Sequence, residues 1–169
     1  MTLDKDEVIE QLYCEYATTI QRVCFLYLGN VAASEDALQE TFIKVYQRYL
    51  SFQGKSEPKT WITRIAINTC KDMLRKRQRE ENIQIEEFHK MEIYPVKVCD
   101  ESSEKLMITT AIQELARELR EVVILYYYQE LTTKEIGNIL RIPRTTVEFR
   151  LKKARQELKR KIKEEYLYE

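Results

Sequence analysis

TTKEIGNILRIPRTTVEFRLKKARQELKRKI, from Thr132 to Ile162, is the stretch that decides how this chain is read. Thr132 with Glu135 three residues on has the form of a capping box, so a short helix begins there with Ile136, Ile139 and Leu140 on its apolar face. The pattern breaks at Arg141-Ile142-Pro143 and restarts as a long basic helix. In it Val147, Leu151, Ala154, Leu158 and Ile162 recur at spacings of 4, 3, 4 and 4. With that stripe buried, a helical wheel at about 100° per residue turns Thr145, Phe149, Lys152, Lys153 and Gln156 outward. Two helices with a short break, the second opened by polar and basic groups, form a helix-turn-helix. Such a second helix is what proteins place in the DNA major groove.

Phe149 separates a reading helix from a merely solvated one. A large aromatic on a solvated face is unfavourable, whereas in a groove it packs on a thymine methyl while Glu148 accepts from a cytosine amino group. Arg144, Arg150, Lys152, Lys153 and Arg155 then supply phosphate contacts or a reading of guanine. The competing account has Phe149 packing on the preceding domain or on a partner protein.

The rest of the 169-residue chain suits one domain or two small ones. Three Gly and three Pro in the whole length point to long helices with few turns. No apolar run approaches the roughly 18 to 20 residues of a membrane span, and MTLDKDEVIEQL is acidic where a signal peptide is basic; a cytoplasmic protein is expected. Cys14, Cys24 and Cys70 fall among apolar residues of helical segments and read as reduced, partly buried thiols. No C-x-x-C pair occurs and the one histidine, His89, stands alone, so neither a metal site nor a cofactor is expected.

Net charge is zero, but its distribution is uneven. Residues 1–50 are net −4, 59–79 net +6, 80–105 net −5 and 141–163 net +8. Two basic blocks separated by an acidic segment indicate two polyanion-facing surfaces. Apolar periodicity predicts a first helix from Asp4 to Leu28, stopped by Gly29-Asn30. A second is predicted from a Ser34 cap to about Leu50, with Leu38, Phe42, Val45 and Tyr49 inward. After the loop SFQGKSEP (51–58), a third runs from Pro58 to about Glu80, with Trp61, Ile65, Thr69 and Met73 as its apolar stripe. Residues 82–103 lose the helical period. A second domain begins near Ser103, with a helix to about Ala116, another over ELREVVILYYYQE, and the two helices quoted first. The fold class is therefore all-α, in two small helical domains joined by a linker: 1–81, 82–103 and 104–169.

SEDALQETFIKVYQRYLSFQGKSEPKTWITRIAINTCKDMLRKRQR (34–79) resembles region 2 of bacterial RNA polymerase sigma factors of the extracytoplasmic-function type. LARELREVVILYYYQELTTKEIGNILRIPRTTVEFRLKKARQELKR (115–160) resembles their region 4. The two stretches stand in the family's order and spacing. The resemblance implies a helical bundle, a linker and a helix-turn-helix, acting as a promoter-specific initiation factor. It also implies as partners core RNA polymerase (β′ clamp and β flap), promoter DNA and an anti-sigma factor, often membrane-anchored. Asp36, Gln39 and Glu40 would then grip the β′ clamp helices. The loop with Phe52, Gly54 and Lys55, together with Asn68, would hold a base flipped from the minus-ten element. Arg64, Lys71, Arg75, Lys76 and Arg77 would hold phosphates of the opened strand. Trp61 would lie near the melted junction, although its helical spacing also fits a core position, the reading favoured here. Arg144, Thr145, Thr146, Glu148, Phe149, Arg150, Lys152, Lys153 and Arg155 would read the minus-thirty-five element.

The sequence departs from the family's usual Leu-Pro at Leu115-Ala116, from Gly at Arg141 and Thr145, and from Lys-Ser at Glu148-Phe149. Arg141 is thereby expected in a left-handed conformation that suits Gly better. No Gly-rich phosphate loop or acid–base constellation is present, so an enzyme is not expected. The alternatives are a regulator that binds duplex DNA without polymerase and a module whose basic helices bind an acidic protein. The first leaves residues 34–79 unexplained.

Overall fold

The computed structural model describes residues 4–83 and 103–166, all of whose regular structure is helical. The chain divides into two compact units, Met1–Glu92 and Ile93–Glu169. Most of the expected linker, 82–103, lies outside the described residues, as do His89 and Cys99.

The first unit holds α1 (Lys5–Leu28), α2 (Val31–Arg48), a 3₁₀ turn (Tyr49–Ser51) and α3 (Pro58–Ile83). Asp4 caps α1: its carboxylate accepts from Lys5 N at 2.7 Å, and Glu7 accepts from Asp4 N at 3.2 Å. The helix stops at Gly29, whose φ of 70° is open to a residue without Cβ. The expected cap at Ser34 is corrected by the structure. Asn30 is already extended and its Oδ1 accepts from Ala33 N at 2.8 Å, so α2 begins four residues earlier. Ser34 lies buried in the first turn, its hydroxyl donating to Val31 O at 2.7 Å. Gly29 and Asn30 thus serve as stop and restart, and α1 and α2 need only a two-residue joint.

Ile20, Val23 and Tyr27 of α1 bury against Leu38, Phe42 and Val45 of α2 and Ile62, Ile65 and Ala66 of α3. Tyr13 meets Phe42 edge-on at 4.8 Å. Thr69, fully buried, accepts a hydrogen bond from Lys44 Nζ at 3.1 Å, so its polarity is satisfied within the core. Of the three described cysteines, all free, Cys24 and Cys70 are buried as expected but Cys14 is exposed. Contact with Cys24 and burial push the Cys70 thiol up, which keeps it protonated and inert.

The second unit holds α4 (Ser103–Gln113), α5 (Arg117–Val123) continued by a π-helical turn (Ile124–Tyr128), α6 (Thr133–Leu140) and α7 (Arg144–Tyr166). α4 stops short of the expected Ala116 because Arg120 Nη2 donates to the carbonyls of Gln113 and Leu115, which are thereby satisfied outside a helix. Leu119, Val122, Ile136, Val147, Leu151 and Ala154 form the core, and Lys161 ties α7 to Glu114 at 2.6 Å.

The break between α6 and α7 rests on two residues. Arg141 adopts φ 56°, ψ 45°, the expected left-handed turn, and Ile142 N donates to Gly137 O at 3.0 Å. A Cβ on Gly137 would lie 2.9 Å from the Ile142 carbonyl oxygen, a backbone atom that cannot move aside cheaply. Arg141→Gly should therefore stabilise the protein by about 1 kcal/mol by removing left-handed strain. Gly137→Ala should lower the unfolding midpoint by displacing the turn. Urea unfolding followed by circular dichroism measures both.

Candidate nucleic-acid interface

The capping box at Thr132 starts α6 as the sequence predicts. Thr132 Oγ1 accepts from Glu135 N at 3.3 Å, and Glu135 Oε2 accepts from Thr132 N at 2.8 Å. The Thr132 hydroxyl, then its backbone N–H, hold the Glu135 carboxyl below its ordinary value. With α6 fixed and its exit set at Gly137, α7 buries Val147, Leu151 and Ala154 and leaves Phe149 66% exposed. Arg144, Thr145, Glu148, Lys152, Lys153, Arg155 and Gln156 are exposed with it, while Thr146 and Arg150 are half-buried.

Two arginines of α7 are held through Nε. Arg144 Nε donates to Glu148 Oε1 at 2.7 Å, and Arg155 Nε donates to Tyr127 Oη at 2.8 Å. Arg155 also lies 5.6 Å from the ring centre of Tyr126, within cation–π range. Tyr127 is 51% exposed and meets Tyr126 edge-on at 5.0 Å. Sequence reading missed both tyrosines. The available signal was the run Tyr126-Tyr127-Tyr128, because three successive helical residues sweep about 200° and cannot all face the core.

In the first unit a second basic surface lies along α3. Arg64, Asn68, Lys71 and Arg75 follow at spacings of 4, 3 and 4 and so share one face. Arg75 leans on Asp72 at 3.3 Å and Lys76 on Glu80 at 3.9 Å. Arg77 is not brought to this face. It continues the row of Ala66, Cys70 and Met73, about 200° round from Arg75. Trp61, expected in the core, is only half-buried and stacks on Phe52 with centroids 4.6 Å apart and planes at 26°. Phe52 is therefore oriented before any ligand arrives. Gly54 (φ 65°) and Lys55 form the exposed tip of the loop, and a Cβ on Gly54 would meet nothing within 4 Å.

Asp36, Gln39 and Glu40 are exposed on α2, with Glu40 paired to Lys44 at 2.7 Å. Their row continues through Ile43 (56% exposed), Tyr46 (43%) and Leu50 (82%), which the sequence reading did not single out. The signal was phase: these residues alternate with the buried Leu38, Phe42 and Val45. Lys5 Nζ lies 3.7 Å over the Tyr46 ring, and a hydrogen bond with Asp6 holds the Tyr46 proton more tightly than usual.

Two helical units, each with a basic face backed by an apolar core, have the make-up of a DNA-binding protein. Residues 12–80 match the family described as Sigma-70 region 2, and residues 105–158 match Sigma-70, region 4. The chain is similar to the ECF RNA polymerase sigma factor SigW of Bacillus subtilis (strain 168), at 32% identity over 160 residues, covering 88% of this chain and 86% of that one. This chain belongs to the sigma-70 family, in its extracytoplasmic-function branch. Its fold is also that of the sigma factor RpoE in complex with the anti-sigma factor NepR from Bartonella quintana: TM-score 0.79 at 22% identity, covering 91% of this chain and 96% of that one. The likeness extends to CnrH in complex with the cytosolic domain of CnrY, with TM-score 0.68 at 18% identity over 94% and 89% of the two chains.

Trp61 is the one tryptophan of the sequence, so its emission reports on the Phe52 stack. Phe52→Ala should move that emission to longer wavelength in the folded protein. The cap at Thr132 should show in acid. A carboxyl depressed by folding contributes stability above its unfolded value of about 4.3 and loses it as pH falls through the lower folded value. Glu135→Gln should flatten that part of the stability–pH curve, measured by urea unfolding between neutral and strongly acid pH.

Proposed function

We propose that this chain binds core RNA polymerase, directs it to a set of promoters, and opens the minus-ten region with its first unit. The observation that carries the reading is the presence in one chain, in order, of both matched regions, each with an exposed basic face. A regulator that bound duplex DNA alone would leave the first unit without a task.

The role is one of binding, not of catalysis by side chains. The exposed row of α2 that begins at Asp36, Gln39 and Glu40 serves the polymerase clamp, where carboxylates beside apolar residues suit a basic partner. The β flap meets the second unit. Phe52, already stacked on Trp61, offers a wall for an unpaired base whose edge Asn68 hydrogen-bonds. Arg64, Lys71 and Arg75 hold the phosphates of the opened strand, and capture of the base draws the melting equilibrium toward the open form. Arg77 faces elsewhere on α3 and contributes less than its neighbours. The second unit reads the minus-thirty-five element through α7. On this division residues 1–81 engage polymerase and the minus-ten element, 82–103 link, and 104–169 read upstream.

We also propose a protein antagonist of the anti-sigma kind, held at a membrane in the manner suggested by a partner with a cytosolic domain. We place the action of this chain in the cytoplasm, with the polymerase it would serve; among the described residues no helix is long and apolar enough to cross a membrane.

Purified chain mixed with core polymerase and a promoter library should give promoter-dependent transcripts, and failure to form a complex with core polymerase would end the reading. Asp36→Ala with Gln39→Ala should weaken polymerase binding at least about fivefold, in line with interface truncations that cost upward of 1 kcal/mol. The same pair should leave the affinity of the polymerase-free chain for upstream duplex DNA unchanged.

A further inference from the structure

Glu148 is the only carboxylate from Arg144 to Gln156, on a helix that otherwise presents basic and neutral groups. Against a phosphate backbone a free carboxylate is repelled, so its place on this surface needs a cause. Thr145, Phe149 and Lys152 occupy the centre of the outward face. Arg144, Glu148 and Arg155 follow at spacings of 4 and 7 along one flank. On that flank Glu148 Oε1 accepts from Arg144 Nε at 2.7 Å, with the two side chains 46% and 68% exposed. An exposed i,i+4 pair adds little to the stability of a helix, so what the pair fixes is direction.

With Nε engaged, the guanidinium rotates less about its own axis and its two Nη groups remain as a forward fork. That fork matches O6 and N7 of guanine, the commonest bidentate pairing in the major groove. Arg144 also opens α7, and the N-terminal residues of a recognition helix are the ones that reach base edges. Arg155, held in the same way by Tyr127, lies eleven residues on, about 16 Å along the axis, where backbone contact is the natural role.

We propose that Arg144 reads a guanine of the upstream promoter element and that Glu148 is its positioning residue, not a reader of cytosine. The assignment rests on the promoter-directing function above and gives it a base preference.

The test is transcription by the full chain with core polymerase on templates randomised across the upstream element, at two salt concentrations, read by sequencing. Wild type should prefer guanine at one position. Arg144→Ala should reduce that preference at least about fivefold and leave the other positions unchanged. Glu148→Ala should reduce preference at the same position, and Glu148→Gln, which keeps an acceptor for Nε, should restore part of it. Two results overturn the assignment. A loss at a different position in Glu148→Ala makes Glu148 itself the reader. Uniform weakening with a shallower salt dependence in Arg144→Ala makes Arg144 a phosphate contact. Wild-type initiation indifferent to the upstream sequence also sinks it while leaving the polymerase function intact, whereas no initiation on any template removes both.

Discussion

The direction of α7 depends on one close approach, that of the Ile142 carbonyl to the α-carbon of Gly137. Only glycine leaves room there, since a Cβ would come within 2.9 Å of the oxygen. The approach lets Ile142 N close back on Gly137 O, and the chain then turns through Arg141 in a left-handed conformation. Pro143 and α7 follow from that geometry. Val147 and Leu151 reach the core and Phe149 is left outside because the turn sets the phase of the helix at its first residue. The exposed surface of α7 is a consequence of how α6 ends.

A second theme is that side chains at or beside the candidate surfaces are restrained before a ligand binds. Arg144 is held by Glu148, Arg155 by Tyr127, Lys44 by both Glu40 and Thr69, and Phe52 by Trp61. Each exposed contact is weak as a source of stability. Its effect is to lower the rotamer entropy that binding would otherwise have to remove, of order 1 kcal/mol for each long side chain. Such restraint serves specificity more than affinity, because a side chain with one direction can match one pattern of donors and acceptors.

Much of this was legible in the sequence, and the reasons it was are local. The Thr132–Glu135 cap and the stripe from Val147 to Ala154 follow from spacing and residue type, the left-handed Arg141 from the resemblance to a family with Gly at that position, and all three appear in the structure. The outward Phe149 followed from the same wheel. The misses share a different physics. Ser34 resembled a cap, but Asn30, four residues earlier and directly after Gly29, met the free N–H groups first. The end of α4 at Gln113 depends on a guanidinium seven residues away. The bracing of Arg155 by Tyr127 spans 28 residues, and helical periodicity contains no information on which side chains meet across that separation. Arg77 belonged to a basic block by composition, yet charge counting is blind to the side of a helix on which a residue falls.

The π-helical turn at Ile124–Tyr128 has an evolutionary reading. Gln129 N closes on Ile124 O, five residues back, so the turn holds one residue more than an α-helical turn would. Losing that residue through a single in-frame codon deletion would restore ordinary winding. The flanking helical residues would keep their phase, because the extra residue is taken up inside the turn, and only the turn's own side chains would be re-spaced. Tyr127 would leave the flank of α7, and Arg155 would lose its brace with no change at position 155. The direction of an arginine on α7 can therefore drift through indels in the helix packed beside it.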